Sequence, residues 1–243
     1  MNLPDFPRIA GGRTPSARAS ATAEFLRGGA AAGNGATEAD TRAALSPAQI
    51  ALFETPHLAS LRPPVRLDYA FRREEGGREA VEDTIRLGVR ASPGPDNKRD
   101  VSPEFLTGPR ALRYPPALGF LGNPLLVFAM DRDVRELSAA TGGTPNWFRN
   151  RFRQALAASA EVRPGEIDFE GRRLPATVIA VTPYTGEPRA GRFRDRRYVF
   201  ALAESLPGWF HAIRTELPPA GDRGAVSESI VFTGTSPLPE GSG

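Results

Sequence analysis

Between positions 123 and 159 the chain carries two consecutive helix starts, each a polar cap followed by a proline, set between two blocks of strand-like alternation. Asn123 with Pro124 opens the first helix and Thr144 with Pro145 the second. A capping side chain satisfies an orphan amide of the first turn, and proline at the first helical position fixes its φ. Strands, then a helical pair, then strands again define an α+β protein whose antiparallel sheet is interrupted once.

The first block begins with Val65, Leu67, Tyr69 and Phe71 alternating with polar or small residues, so one face is apolar. Gly76 and Gly77 turn the chain, and Val81, Ile85, Leu87 and Val89 repeat the pattern with Asp83 interposed. A second turn over residues 92–97 leads to a shorter strand at 101–106, which Thr107 and Gly108 end. The second block contains Ile167 and Phe169, a turn at Glu170-Gly171, then Thr177, Ile179 and Val181. A polar loop over 184–196 precedes Tyr198, Phe200 and Leu202. Pro207-Gly208 then turns the chain into Trp209, His211, Ile213, Thr215 and Leu217, and a last strand covers 226–232. The expected architecture is a curved antiparallel sheet or incomplete β-barrel of about seven or eight strands, with the helical pair inserted after the third strand.

Leu126, Met130, Val134 and Leu137 give the first helix one buried stripe, and Gly142-Gly143 stops it. Asp131, Arg132, Asp133, Arg135 and Glu136 read as its solvent side, with Asp131/Arg135 and Arg132/Glu136 at ion-pair spacing. Phe148, Phe152 and Leu156, beside Trp147, form the stripe of the second helix.

The patterned sequence makes one α+β domain over residues 45–233 of the 243. Residues 1–44, rich in Ala, Gly and Arg, are expected to be a disordered N-terminal tail, and 234–243 a flexible C-terminal tail. No apolar run has the length of a membrane span or of a signal-peptide core. The absence of cysteine excludes disulfides, thiolate metal sites and a thiol nucleophile.

The formal net charge is +3, and Lys98 is the sole lysine. Arginines cluster at 149, 151 and 153, and again at Arg189, Arg192, Arg194, Arg196 and Arg197. The second cluster, Arg192, Arg194, Arg196 and Arg197 above all, is the candidate anion-binding group, against the plainer reading of a solvated basic loop. No nucleic-acid-binding motif accompanies it, so nucleic acid is not an expected partner.

Residues 114–130 carry no charge. They read either as the buried approach to a core helix or, at 115–122, as an apolar lid over a ligand cavity. The lid reading makes Phe120, Leu121, Leu125, Phe128, Trp147, Phe148, Phe152, Trp209 and His211 the candidate ligand-binding residues. His57 and His211 are the only histidines, and no G-x-S-x-G, H-E-x-x-H or P-loop is present. No catalytic residue, metal or cofactor is assigned; a cryptic hydrolase would have to use His211.

The element order over residues 61–232, with its Pro-started helices, resembles the LolA/LolB-like periplasmic lipoprotein-carrier fold, an incomplete antiparallel barrel whose concave face is covered by helices. The resemblance is architectural and transfers no residue. It implies a non-catalytic protein that binds or carries a lipid or other apolar ligand, and a periplasmic or exported setting. The alternative is a docking or assembly factor of the cell envelope with a protein partner.

Overall fold

A computed structural model describes residues 45–94 and 96–238; the tail expected at 1–44 lies outside the described residues, as do Pro95 and residues 239–243. Strands β1 (Val65–Glu75), β2 (Val81–Ala91), β3 (Arg99–Phe105) and β4 (Ala117–Phe120) form a meander. Helices α1 (Leu125–Thr141) and α2 (Pro145–Ala158) follow. Strands β5 (Glu161–Phe169), β6 (Arg172–Val181), β7 (Arg197–Leu202), β8 (Phe210–Leu217) and β9 (Val226–Ser236) form a second meander. The antiparallel pairing of β1 with β9 joins both into one open nine-stranded sheet of order β4-β3-β2-β1-β9-β8-β7-β6-β5.

The α+β class and the single helical insertion agree with the sequence. The strand count is higher than expected, and the helical pair follows the fourth strand rather than the third. The additional strand is β4, which lies in the uncharged segment. Pro115, Pro116 and Gly119 break its alternation, and it pairs with β3 through a register shift between Arg99 and Val101. Strand β9 also runs past Phe232, where the alternation ends, and Thr235 and Ser236 pair with Leu67 and Arg66.

Both caps act as expected. Asn123 Oδ1 accepts from the Leu125 amide at 3.0 Å, although the helix is assigned only from Leu125. Thr144 Oγ1 accepts from the Trp147 amide at 3.4 Å. Gly142 closes α1 at φ 73°, a left-handed value that costs glycine nothing. Leu126, Met130, Val134 and Leu137 of α1 and Phe148, Phe152 and Leu156 of α2 are all buried. They meet an aromatic layer in which Phe152 lies 5.3 Å edge-on to Tyr198, and Phe148 5.3 Å edge-on to Tyr184. Each such side chain contributes roughly 1.5–3 kcal/mol on leaving water.

Ahead of β1, a capped turn (Pro47–Gln49) runs into a π-helix (Ile50–Glu54). Ser46 Oγ donates to the Leu156 carbonyl at 2.8 Å, tying this segment to the end of α2.

Candidate functional site

The predicted ligand-binding residues divide into two groups. Leu125, Phe128, Phe148 and Phe152 are buried in the helix–sheet core, and His211 is 9% exposed. Leu121 is exposed, while Phe120, Trp147 and Trp209 are half-buried. Trp209 is not the first residue of a strand. It sits at φ 62° in the turn before β8, against His57. A cavity between α1 and the sheet, lined by Phe71, Phe105, Met130, Asp133, Thr215 and Glu228, among others, measures about 20 Å³. That is room for roughly one water molecule.

The centre of this interface is charged. Opposed residues of an antiparallel pair share a face, and the register places Tyr198, Thr215, Glu228 and Arg73 in one row across β7, β8, β9 and β1. Helix α1 lowers Asp133, 3% exposed, onto this row, and the Tyr198 hydroxyl donates to its carboxylate. Arg196, 1% exposed, reaches Asp133 at 2.5 Å, Glu228 at 3.3 Å and the Thr215 hydroxyl at 3.1 Å. Arg132 grips both oxygens of Glu228 at 2.9 Å, and Arg73 bridges Glu228 at 2.7 Å and Glu136 at 2.8 Å. Burial pushes the Glu228 carboxyl up, but hydrogen bonds and charge from Arg132, with Arg196 and Arg73, outweigh it and bring the pKa down to about 2. Burial drives the Asp133 carboxyl upward while Arg196 pulls it back.

This centre corrects the reading of α1's charged side. Asp131 and Arg135 do pair toward solvent at 2.7 Å, but Arg132, Asp133 and Glu136 turn to the sheet because Arg73 and Arg196, distant in sequence, wait there. The signal was available. Asp133 stands three residues after Met130 and four before Leu137, on the apolar stripe itself, and Glu228 interrupts the inward series Val226, Ile230, Phe232.

It also divides the predicted anion-binding cluster. Arg196 is committed inside, whereas Arg194 and Arg197 are exposed and Arg192 is half-buried. The loop bearing them is anchored by buried Tyr184, Ala190 and Phe193 and forms 3-10 turns over Pro188–Asp195.

A second locus lies at the β4 rim. Among the described residues, the exposed large apolar side chains are Ile50, Leu118, Leu121 and Val162, with Leu118 at 68%. Leu118 is in β4 and Leu121 one residue past it; the Leu121 carbonyl accepts from the Leu58 amide at 2.9 Å, so the segment following Ile50 borders the same corner. Beneath it, His57 is wholly buried and donates from Nε2 to the Ala51 carbonyl at 2.8 Å, so its Nδ1 accepts from the Asn123 amide at 3.2 Å. Burial brings this imidazole down to about 4, and it is neutral at pH 7. The Asn123 side chain binds the Tyr69 hydroxyl and the Gly208 carbonyl, each at 3.0 Å.

His211 has no acid at hydrogen-bond distance among the described residues. Its Nδ1 is buried without a partner, and burial followed by Arg214 lowers its pKa. Among the same residues no group of His, Cys, Asp and Glu is arranged to hold a metal, and no helix is long and apolar enough to cross a membrane.

No family model matches the chain, and no curated protein matches it. Among solved structures, it is similar to MucB in the Pseudomonas aeruginosa MucA/MucB complex, with 20% identity over 74% of this chain and 54% of that one, at a TM-score of 0.32. A MucB complex with periplasmic MucA gives 19%, 76%, 55% and 0.34 in the same order. A LolA superfamily protein from Nitrosomonas europaea gives 10%, 78%, 94% and 0.20. The chain spans about half the length of the MucB chains. These identities and TM-scores are too low to carry an argument.

Proposed function

We propose that this protein is a non-catalytic docking protein that receives a polypeptide partner at the β4 rim. The observation that carries this reading is the exposure of Leu118 on an uncharged edge strand and of Leu121 just past its end, while the apolar side chains of the helix–sheet interface are buried and its charges are ion-paired. An edge strand offers unpaired backbone groups, and proteins ordinarily guard such edges with charge or proline. The opposite rim follows that rule, since β5 carries Pro164 together with Glu161, Arg163, Glu166 and Asp168. Strand β4 carries no charge, so its short length is its main protection. An extended segment aligned on β4 would gain main-chain hydrogen bonds and cover Leu118 and Leu121.

The alternative is the apolar-ligand carrier. It requires the core group of Leu125, Phe128, Phe148 and Phe152 to part from the sheet, at the cost of breaking the Arg196–Asp133 pair.

Two measurements separate the readings. A photo-crosslinking residue at position 118 should give polypeptide adducts that Leu121→Arg removes, and mass spectrometry of organic extracts should find no stoichiometric small molecule. A stoichiometric lipid in the extract, with no adduct at position 118, would establish the carrier instead.

A further inference from the structure

The face of the sheet turned away from the helices carries a polar hollow, remote from the β4 edge. Because side chains alternate along a strand, the neighbours of inward Arg73, Thr215 and Glu228 point to this outer face. The register sets Arg72, Ser229 and Arg214 side by side in one row across β1, β9 and β8, and Glu74, Ser227 and Glu216 in the next. The rows lie two residues apart, roughly 7 Å. These six residues, with Thr215 and Glu228, border a hollow of about 230 Å³ that opens to solvent. Its two sides differ. On β1, Arg72 is held by Glu74 at 2.8 Å and by Glu82. On β8, Arg214 and Glu216 are exposed, and among the described residues neither has an ion pair; Arg197, opposite Glu216 on β7, makes none with it. The hydroxyls of Ser227 and Ser229, both half-buried, likewise have no hydrogen-bond partner among the described residues. The β8–β9 half of the hollow therefore presents an uncommitted cation beside one hydroxyl and an uncommitted anion beside the other.

We propose that this hollow binds a small zwitterion, an oxyanion and an ammonium joined by a short chain. The oxyanion accepts from the Arg214 guanidinium and the Ser229 hydroxyl, and the ammonium donates to the Glu216 carboxylate and the Ser227 hydroxyl. The two arginines and two glutamates of the lining cancel in net charge but are sorted by row, so the hollow is neutral as a whole and dipolar within. A simple anion would meet the glutamate row and a simple cation the arginine row, whereas a guest with both charges is attracted at each end. Guanidinium–oxyanion and carboxylate–ammonium contacts are hydrogen bonds of the stronger, charge-assisted kind. The charges of the guest have to be about as far apart as the rows, which excludes an α-amino acid, whose two charged groups share one carbon. Pairing of β1, β9 and β8 fixes both rows before a guest arrives, so little of the binding energy is lost in ordering the backbone.

The test titrates the full chain with δ-aminovalerate by saturation-transfer NMR, beside valerate and pentylamine, which each keep one charged end. The expected result is saturable binding of δ-aminovalerate at least about tenfold tighter than of either single-charge analogue, and weaker at high salt. Arg214→Gln and Glu216→Gln should each raise its Kd at least about fivefold, while Arg62→Gln, elsewhere on the surface, should not. All three positions are exposed, so thermal midpoints near wild type would tie the losses to the hollow. Glycerophosphoethanolamine, and phosphatidylcholine vesicles with and without phosphatidylethanolamine, identify the source of the guest. Binding of the soluble zwitterions alone supports a free solute, and added binding of the phosphatidylethanolamine vesicles supports a lipid headgroup. Valerate or pentylamine binding as tightly as δ-aminovalerate, no saturable binding at low salt, vesicle binding without either soluble zwitterion, or an equal loss in Arg62→Gln would each overturn the proposal. It does not depend on the β4 reading, and Leu118→Arg should leave the δ-aminovalerate Kd unchanged.

Discussion

At the centre of the helix–sheet interface, where aliphatic packing would be the ordinary solution, Arg196, Asp133 and Glu228 are buried. At the β4 corner, where charge would be ordinary, Leu118 and Leu121 face water. The two regions treat solvent in opposite ways. In the centre every charge has an opposite charge within reach, which offsets its desolvation, although Asp133 Oδ1 and Arg196 Nε remain without a hydrogen-bond partner. At the corner nothing among the described residues completes the surface, so its apolar area remains free to be covered by something else.

Removing one member of the centre should have the largest effect. Arg196→Ala leaves Asp133 buried without its counter-charge and should destabilise the fold by about 3–5 kcal/mol in urea denaturation. Replacing Arg196 and Asp133 together by Met and Leu should restore most of that loss; if the single and double variants are equally unstable, the centre is held by packing and not by charge.

His57 lies under the corner and links stability to pH. Its pKa is about 4 folded against 6.5 for the free side chain, so the unfolded chain takes up the proton first as pH falls. Stability should therefore be complete above pH 6.5 and decline toward pH 4, by at most ~3 kcal/mol. The lowered pKa of His211 adds a slope of the same sign. Urea midpoints at about pH 5 and about pH 7 measure the effect, and His57→Gln should reduce it, leaving what His211, Glu228 and, with opposite sign, Asp133 supply. A slope unchanged by His57→Gln would show that this imidazole does not titrate as its burial requires.

Asn123→Ala removes a helix cap and two buried hydrogen bonds, to Tyr69 and Gly208, and should cost about 2 kcal/mol by thermal or urea unfolding. Leu118→Arg should change stability by no more than about 0.5 kcal/mol, because the side chain already faces water. A drop of several kcal/mol would mean that Leu118 is covered in solution, and the corner would then no longer contrast with the centre.

The sequence made the apolar architecture legible and left the charged centre hidden. Period-two and period-3.6 patterns located eight of the strands and both helices, because burial of one face writes itself into local spacing. Strand β4 escaped because a four-residue edge strand between prolines and a glycine leaves no period to detect. Asp133 and Glu228 both stood at inward positions, yet their partners Arg196 and Arg73 lie 63 and 155 residues away. Charge complementarity across a sheet has no sequence period, so it becomes visible only when β7, β8, β9 and β1 are placed side by side. For the same reason an arginine-rich loop contains one arginine, Arg196, that belongs to the core.

The pairing of β1 with β9 has a consequence for how the protein is made. The earliest and the latest strands of the sheet lie at its middle, so a nascent chain ending before Val226 consists of two meanders with no seam between them. Premature termination there would remove the central strand and with it Glu228, on which three arginines converge. Assembly of the seam must wait for β9 to emerge, a long-range closure that slows folding and leaves the β1 edge open meanwhile. The chain therefore spends its synthesis exposed along the line that its finished form conceals best.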